Sequence, residues 1–166
     1  MTPAQERTAR ALRLNGEDLL KYFGRRLPPE DAADALGDLM VVAWRRIRDL
    51  PEDPLEARLW LFGIARFVVS KVQRTMQRRS RLAERLRAAV AVSPGHAGGA
   101  DEFADVRDAI GRLPADDAEL VRLVHWEGFA IAEAASVLGI SPSAARSRYQ
   151  RIRATLREQL DPSIGS

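Results

Sequence analysis

The sequence predicts an all-α fold of two small helical domains joined by a flexible linker, with a helix-turn-helix in the C-terminal domain. Three observations support this prediction. Apolar residues recur at helical spacing in several segments, the alternation typical of strands is weak throughout, and residues 93–99 (SPGHAGG) form a stretch of small residues rich in Gly and Pro. We therefore place the domains at residues 1–90 and 101–166, with the linker at 91–100.

The N-terminal domain is predicted to be a bundle of three or four helices that extends to residue 88. A first helix covers residues 17–27 and ends at Pro28 and Pro29. Two amphipathic helices follow, separated by a proline-containing loop at residues 49–55. Their predicted core stripes are Leu36, Leu39, Met40, Ala43, Trp44 and Ile47 in one helix, and Leu61, Ile64, Ala65, Val68 and Val72 in the other.

The C-terminal domain begins with two predicted helices that precede the helix-turn-helix. The first covers residues 101–113 and is stopped by Pro114. The second covers residues 116–126, and the carboxylates of Asp116 and Asp117 favour a helix N-terminus because they complement its dipole.

Residues 131–157 have the pattern of a short helix, a glycine turn and a capped second helix. Ala135 is small where two helices must approach closely, and Gly139 suits the positive φ of a tight turn. Ser141 is a good N-cap, and Pro142 fits the first helical position. Cap, turn and apolar spacing therefore agree on a helix-turn-helix.

The second helix of this motif has an apolar face and a basic face. The apolar face, which we expect in the core, contains Ala145, Tyr149, Ile152, Leu156 and Leu160. The opposite face contains Ser143, Arg146, Ser147, Gln150 and Arg151. Arginine can bind guanine and glutamine can bind adenine in the major groove, and no carboxylate occurs between Ser141 and Arg157. This face predicts DNA binding; the alternative is a merely solvated basic helix.

Charge is unevenly distributed along the chain, although 26 Lys and Arg against 23 Asp and Glu leave a net charge of only +3. Acidic residues concentrate at 30–56 and 101–119, whereas 66–87 and 146–157 are almost purely basic. Such alternation predicts polyanion-binding faces separated by segments with other roles, with solvated helix faces as the alternative for either basic block.

Composition also excludes several classes of site. The chain has no cysteine, so disulfides and thiolate metal sites are excluded. No apolar run predicts a signal peptide or a membrane insertion, so we expect a cytoplasmic protein. Of the two histidines, His96 lies in the expected linker and His125 is alone on a helix, which predicts neither an enzyme nor a metal or cofactor site.

Four segments together resemble a known family. Residues 127–141 (EGFAIAEAASVLGIS) and 144–153 (AARSRYQRIR) resemble region 4 of extracytoplasmic-function (ECF) sigma factors of bacterial RNA polymerase. Residues 31–44 (DAADALGDLMVVAW) and 59–66 (LWLFGIAR) look like region 2 of the same family, in the same order and spacing. The resemblance implies a non-enzymatic subunit that joins core RNA polymerase, binds promoter DNA at two elements and assists its melting.

The resemblance also implies three groups of site residues. Those that would contact core RNA polymerase are Asp34, Asp38, Trp44 and Arg45. The alternatives are ordinary solvated positions for Asp34 and Asp38, and a core position, which is favoured, for Trp44. Those that would contact the separated strand of the minus-10 element are Arg66, Phe67, Ser70, Arg74 and Arg78, beside a pocket for a flipped base shaped by residues 51–56. Those that would read the minus-35 element are Ser143, Arg146, Ser147, Arg148, Gln150 and Arg151, with Arg148 nearer the core or backbone.

Three departures from the family pattern affect these expectations. Phe67 replaces a common base-contacting Asn, and it could stack on a base or be buried against a neighbouring helix. Gly37 replaces a common polar residue inside a helix, and Ala130 stands where a Ser or Thr cap is usual. The resemblance further suggests control by an anti-sigma factor. The alternative function is a helix-turn-helix regulator that does not join polymerase.

Overall fold

A computed structural model describes residues 1–90 and 104–161. Within these residues the regular structure is entirely helical, which confirms the predicted all-α class. The chain divides into two compact units, Met1–Gly95 and His96–Ser166. The flexible linker predicted at 91–100 lies outside the described residues.

The first unit consists of three α-helices and one short 3-10 turn. They are α1 (Pro3–Gly24), α2 (Pro29–Arg45), the 3-10 turn (Ile47–Asp49) and α3 (Pro54–Val90). The second unit consists of four α-helices among its described residues. They are α4 (Ala104–Gly111), α5 (Ala115–His125), α6 (Ile131–Leu138) and α7 (Pro142–Leu160).

Helix α1 begins fourteen residues earlier than the sequence predicted, at Pro3 instead of residue 17. Thr2 and Gln5 form a reciprocal capping box: Thr2 Oγ1 accepts from the Gln5 amide at 3.2 Å, and Gln5 Oε1 accepts from the Thr2 amide at 2.7 Å. The prediction was wrong because the core stripe of this helix includes two buried polar residues, Thr8 and Asn15. Each donates to a carbonyl one turn earlier, at 2.9 Å, so neither is buried unsatisfied.

The core of the first unit lies where α1, α2 and α3 meet. Tyr22 of α1 packs edge-on against Phe62 of α3, with ring centroids 5.4 Å apart, and both side chains are fully buried. At the edge of this core, the Arg58 guanidinium donates to Asn15 Oδ1 at 2.8 Å and to Asp18 Oδ2 at 3.0 Å. This arginine therefore links α3 to α1 through a half-buried polar contact.

Helix α2 presents a different face to the core from the one predicted. Its buried residues are Ala32, Ala35, Leu39 and Ala43. The expected core positions of Met40 and Trp44 are wrong, because their side chains are 41% and 38% exposed. Alanines allow the helices to approach closely, which leaves the larger side chains on the flank of the contact. There Leu36, Met40 and Trp44 line an apolar cleft of about 350 Å³ against α1.

Helix α3 follows the predicted core stripe and then continues past it. Leu61, Ile64, Ala65 and Val68 are buried, whereas side chains beyond Val72 are almost all exposed. Asp53 Oδ2 accepts from the Glu56 amide at 2.9 Å and so caps the helix start. Since α3 starts at Pro54, the loop assigned to residues 49–55 is shorter than predicted, and residues 54–56 lie in the first helical turn.

The second unit contains the predicted helix-turn-helix. Gly139 ends α6 with φ +70°, and the Ile140 amide donates to the Ala135 carbonyl at 3.0 Å. Ser141 Oγ then caps α7 by accepting from the Ala144 amide at 3.2 Å. Ala130 offers no side-chain cap to α6, and only the other half of a capping box is present, in which Glu133 Oε1 accepts from the Ala130 amide at 2.8 Å.

The apolar face of α7 is buried only along its first half. Ala145 and Ile152 are buried, and Tyr149 and Leu156 are half-buried. The expected core position of Leu160 is wrong, because this side chain is 43% exposed in the last turn of the helix. Residues at the end of a helix satisfy a periodic pattern even when no neighbouring helix reaches them.

Two glycines should respond in opposite ways to replacement by alanine. We expect Gly37→Ala to raise the free energy of unfolding of the first unit by up to about 1 kcal/mol, because Gly37 is exposed within α2 and an added Cβ meets no atom within 4 Å. We expect Gly139→Ala to lower that of the second unit by about 1–2 kcal/mol, since its φ of +70° disfavours a Cβ. Urea unfolding of both variants checks this pair. A destabilised Gly37→Ala variant would contradict the exposed helical position.

Candidate nucleic-acid interface

The outer face of α7 presents the predicted DNA-contacting side chains together. Ser143, Arg146, Ser147, Gln150 and Arg151 are all exposed, and Arg148 is half-buried between this face and the core. Hydroxyl, amide and guanidinium groups thus lie along α7, which starts directly after the turn at Gly139. This composition and exposure suit a helix that enters the major groove.

Small buried residues and one polar contact hold α7 in position. Ala134, Ala135 and Ala145 are fully buried, which lets α6 and α7 approach closely. On the other side, His125 Nε2 of α5 lies 2.7 Å from the Tyr149 hydroxyl, and the two rings stack with centroids 5.9 Å apart. This pair could not be predicted from the sequence, because its members are far apart along the chain.

The outer face of α7 carries uncompensated positive charge. No Asp or Glu occurs between Ser141 and Arg157. Arg146, Arg148 and Arg151 form no ion pair within residues 1–90 and 104–161. These guanidinium groups therefore remain available to bases or phosphates, because no intramolecular carboxylate competes for them.

A second basic surface lies on α3. Phe67, Ser70, Arg74 and Arg78 are exposed, and Arg66 is half-buried. Phe67 is 60% exposed, so the alternative that it is buried against a neighbouring helix is wrong. Its spacing of seven and eleven residues from Arg74 and Arg78 puts all three on one side of the helix. An aromatic ring beside guanidinium groups is the combination that holds single-stranded nucleic acid.

A third surface lies on α2 and is mixed in character. Asp34, Asp38 and Arg45 are exposed, and none of the three forms an ion pair in the described part of the chain. Val41, which was not predicted as a site residue, is exposed between Asp38 and Arg45 on the same side of the helix. Val41 follows Asp34 and Asp38 at helical spacing, and this spacing could have indicated that it lies on the same surface. Met40 and Trp44, which adjoin Val41 on this side of α2, are also partly exposed, and a patch of exposed apolar side chains is typical of a surface that binds another protein.

The described residues offer little else that is chemically specific. They contain no cluster of three or more His, Asp or Glu that could hold a metal ion. None of the helices in residues 1–90 and 104–161 has the length and hydropathy that crossing a membrane requires. What the fold and its surfaces define is an all-helical protein with a helix-turn-helix that presents a basic recognition helix.

Comparison with known proteins identifies the family. Residues 103–156 match Sigma-70, region 4. The chain is 31% identical to RNA polymerase sigma factor NccH of Alcaligenes xylosoxydans xylosoxydans over 150 residues, which is 86% of this chain and 79% of that protein. It is 33% identical to ECF RNA polymerase sigma factor SigC of Mycobacterium tuberculosis over 107 residues, which is 64% of this chain and 58% of that protein.

A solved structure agrees with these relatives. The structure of CnrH of Cupriavidus metallidurans in complex with the cytosolic domain of CnrY has a TM-score of 0.64 and 28% identity, and the match covers 96% of this chain and 90% of that chain. The chain spans from 33% to 79% of the lengths of the curated relatives it matches. The chain belongs to the ECF sigma factors of bacterial RNA polymerase, proteins that direct the core enzyme to promoters. The family predicted from the sequence is confirmed.

Proposed function

We propose that this sigma factor reads the minus-35 element with the outer face of α7. The observation that carries the proposal is the unpaired, exposed basic face of that helix, which begins at a capped N-terminus. The residues assigned to it are Ser143, Arg146, Ser147, Gln150 and Arg151, with the half-buried Arg148 placed against the DNA backbone. Side chains in the first turns of a recognition helix reach base edges, and later ones reach phosphates.

The minus-10 element is assigned to the exposed side of α3. Phe67 stacks on a base of the separated strand, while Arg66, Ser70, Arg74 and Arg78 bind its phosphates. The 60% exposure of Phe67 supports this role, because an exposed ring gains burial when a base covers it. The short loop before α3, with Glu52 strongly exposed, is the neighbouring element that would border a flipped base.

Core RNA polymerase is assigned to the exposed side of α2. Asp34, Asp38 and Arg45 supply charge, and Trp44 supplies a partly exposed ring beside the apolar cleft. Residues 1–90 and 101–166 thus act as a region 2-like and a region 4-like domain. The protein is non-enzymatic and cytoplasmic, needs no cofactor of its own, and relies on the polymerase for catalysis.

An anti-sigma factor is a further proposed partner. CnrH, which resembles this chain along most of its length, is bound to the cytosolic domain of CnrY in its solved structure. By this similarity, an inhibitor would cover the polymerase-binding side of α2 in the resting cell. Isolation of the protein from cells with no partner except polymerase would contradict this part of the proposal.

Run-off transcription on fragmented genomic DNA of the source organism tests the function directly. Purified core RNA polymerase is used with and without this protein. We expect new transcripts that share two upstream motifs, because the protein supplies both promoter-reading surfaces. Absence of new transcripts, together with sequence-specific DNA binding, would instead indicate a regulator that acts without joining polymerase.

A further inference from the structure

A hydrogen bond links α5 to α7 at the level of the proposed base-reading residues. His125 is the last residue of α5 and is exposed, and its Nε2 atom lies 2.7 Å from the hydroxyl of Tyr149, which is half-buried on α7. The two rings are stacked, with an interplanar angle of 23°. The bond forms whichever ring nitrogen of His125 carries the proton, because a hydroxyl can both donate and accept.

This bond differs from the apolar contacts of α7 because it is directional. Ala145 and Ile152 hold the helix through apolar burial, which has no preferred direction. Within residues 104–161, no other side chain of α7 forms a hydrogen bond with a side chain of another helix. In this part of the chain, the bond between His125 and Tyr149 is therefore the directional side-chain contact that opposes rotation of α7 about its own axis.

Tyr149 lies where such a constraint acts on the outer face of α7. At 1.5 Å per residue, it is about 4.5 Å along the helix axis from Arg146 and about 1.5 Å from Gln150. At about 100° per residue, it is roughly 60° around the helix from Arg146 and roughly 100° from Gln150. Tyr149 thus lies at the edge of the buried face, beside the side chains that are assigned to base reading.

Base reading tolerates little rotation of a helix. Side chains extend about 5–6 Å from the helix axis, so a rotation of about 10° moves them by about 1 Å. The N–H···O distances of protein hydrogen bonds span only about 0.5 Å, and a displacement of 1 Å therefore breaks a paired contact with a base edge. Attraction to a phosphate survives the same displacement, because it depends on charge and carries no base information. Rotation of α7 would reduce discrimination among bases more than affinity for DNA in general.

We propose that His125 and Tyr149 are positioning residues that set the orientation of α7 and thereby its selectivity among minus-35 sequences. Neither residue contacts a base, and both act through the neighbouring Arg146 and Gln150. The effect on promoter selection rests on the proposed function, whereas the restraint on α7 does not.

The test uses Tyr149→Phe and His125→Phe, as single variants and together, in reconstituted holoenzyme. Both substitutions keep an aromatic ring for stacking and remove the hydrogen bond. Thr155→Ala is the matched control, because its hydroxyl donates to the Arg151 carbonyl of the same helix, at 3.0 Å. Affinity is measured for the minus-35 sequence that wild-type holoenzyme selects from a randomised library and for a scrambled sequence, over a series of salt concentrations.

We expect each single variant to lower the ratio of the affinities for the selected and the scrambled sequence by about two- to tenfold, the change in an equilibrium constant that one hydrogen bond confers. The double variant should lose no more than either single variant, because both substitutions remove the same bond. His125→Gln should keep most of the wild-type ratio, since its amide can replace Nε2 as the partner of the hydroxyl. Thr155→Ala should keep the wild-type ratio.

Several results would overturn the proposal. Additive losses in the double variant, or an equal loss in Thr155→Ala, would mean that the two residues do not act as a pair. A smaller salt dependence for His125→Phe would mean that His125 binds a phosphate. An unchanged affinity ratio together with a lower denaturant midpoint would mean that the pair only stabilises the second unit.

Failure of the proposed function has a different signature. Wild-type holoenzyme that selects no minus-35 sequence would contradict the proposed function. Amide hydrogen exchange of α7 is measured without DNA, and an equal increase in both single variants, with no further increase in the double variant, would still support the restraint on α7. Wild-type exchange in all three variants would overturn that restraint.

Discussion

Phe62→Ala is expected to lower the free energy of unfolding of the first unit by about 3–5 kcal/mol, the range for removing a fully buried aromatic side chain. Phe62 is completely buried and packs edge-on against Tyr22, while the Arg58 guanidinium lies 4.9 Å from its ring centroid. Its loss would leave a cavity at the point where α3 meets α1. Hydrogen exchange of peptides from α1–α3, compared with peptides from α4–α7, measures the loss in this unit alone.

Phe67→Ala is the matched control, five residues farther along the same helix. Because this ring is 60% exposed, its removal should change the free energy of unfolding by no more than about 0.5 kcal/mol. Promoter melting by the reconstituted holoenzyme should nevertheless fall, since a base would lose its stacking partner. A destabilisation as large as that of Phe62→Ala would mean that the ring is buried and would remove the aromatic group from the proposed minus-10 surface.

The helix-turn-helix could be predicted in detail because its determinants are local. Gly139, Ser141 and Pro142 specify the turn and the start of α7 through backbone conformation and a cap within a few residues. The exposed face of α7 follows from the same spacing. Local signals of this kind act through the chain itself and do not depend on which distant element packs nearby.

The first unit was less predictable because its packing depends on long-range contacts. Thr8 and Asn15 lie in the core stripe of α1, yet a pattern based on hydrophobicity counts them as exposed. In α2, the pattern favoured the large side chains of Met40 and Trp44, whereas the helix packs through its alanines. Side-chain size alone therefore does not decide which face of a helix is buried.

The candidate surfaces likewise combine features that the sequence predicts with features that depend on long-range packing. Arginines without nearby carboxylates could be recognised from the sequence on both α3 and α7. The exposure of Phe67, the position of Val41 and the contact between His125 and Tyr149 required the assembled helices. The roles of all these residues toward polymerase and promoter stay predictions that the proposed experiments test.

Arg146→Ala is expected to lower promoter affinity by about 1–3 kcal/mol and to relax selectivity at one position of the minus-35 element. Arg146 is exposed in the second turn of α7 and has no ion-pair partner in the described part of the chain. A guanidinium there can bind a guanine edge through two hydrogen bonds, which alanine cannot replace. Loss of such a contact penalises the preferred base more than the other three.

The matched control is Arg157→Ala, which removes the same charge from the exposed end of the same helix, three turns farther from its N-terminus. Selection of binders from a randomised minus-35 library by reconstituted holoenzyme separates the two effects. The control should leave the selectivity among sequences unchanged, because a guanidinium at the far end of the helix can at most contact phosphate, and a phosphate contact carries no base information. If Arg146→Ala weakens binding to all library sequences alike, Arg146 contacts phosphate. Gln150 and Arg151 would then remain as the residues of this face that bind base edges.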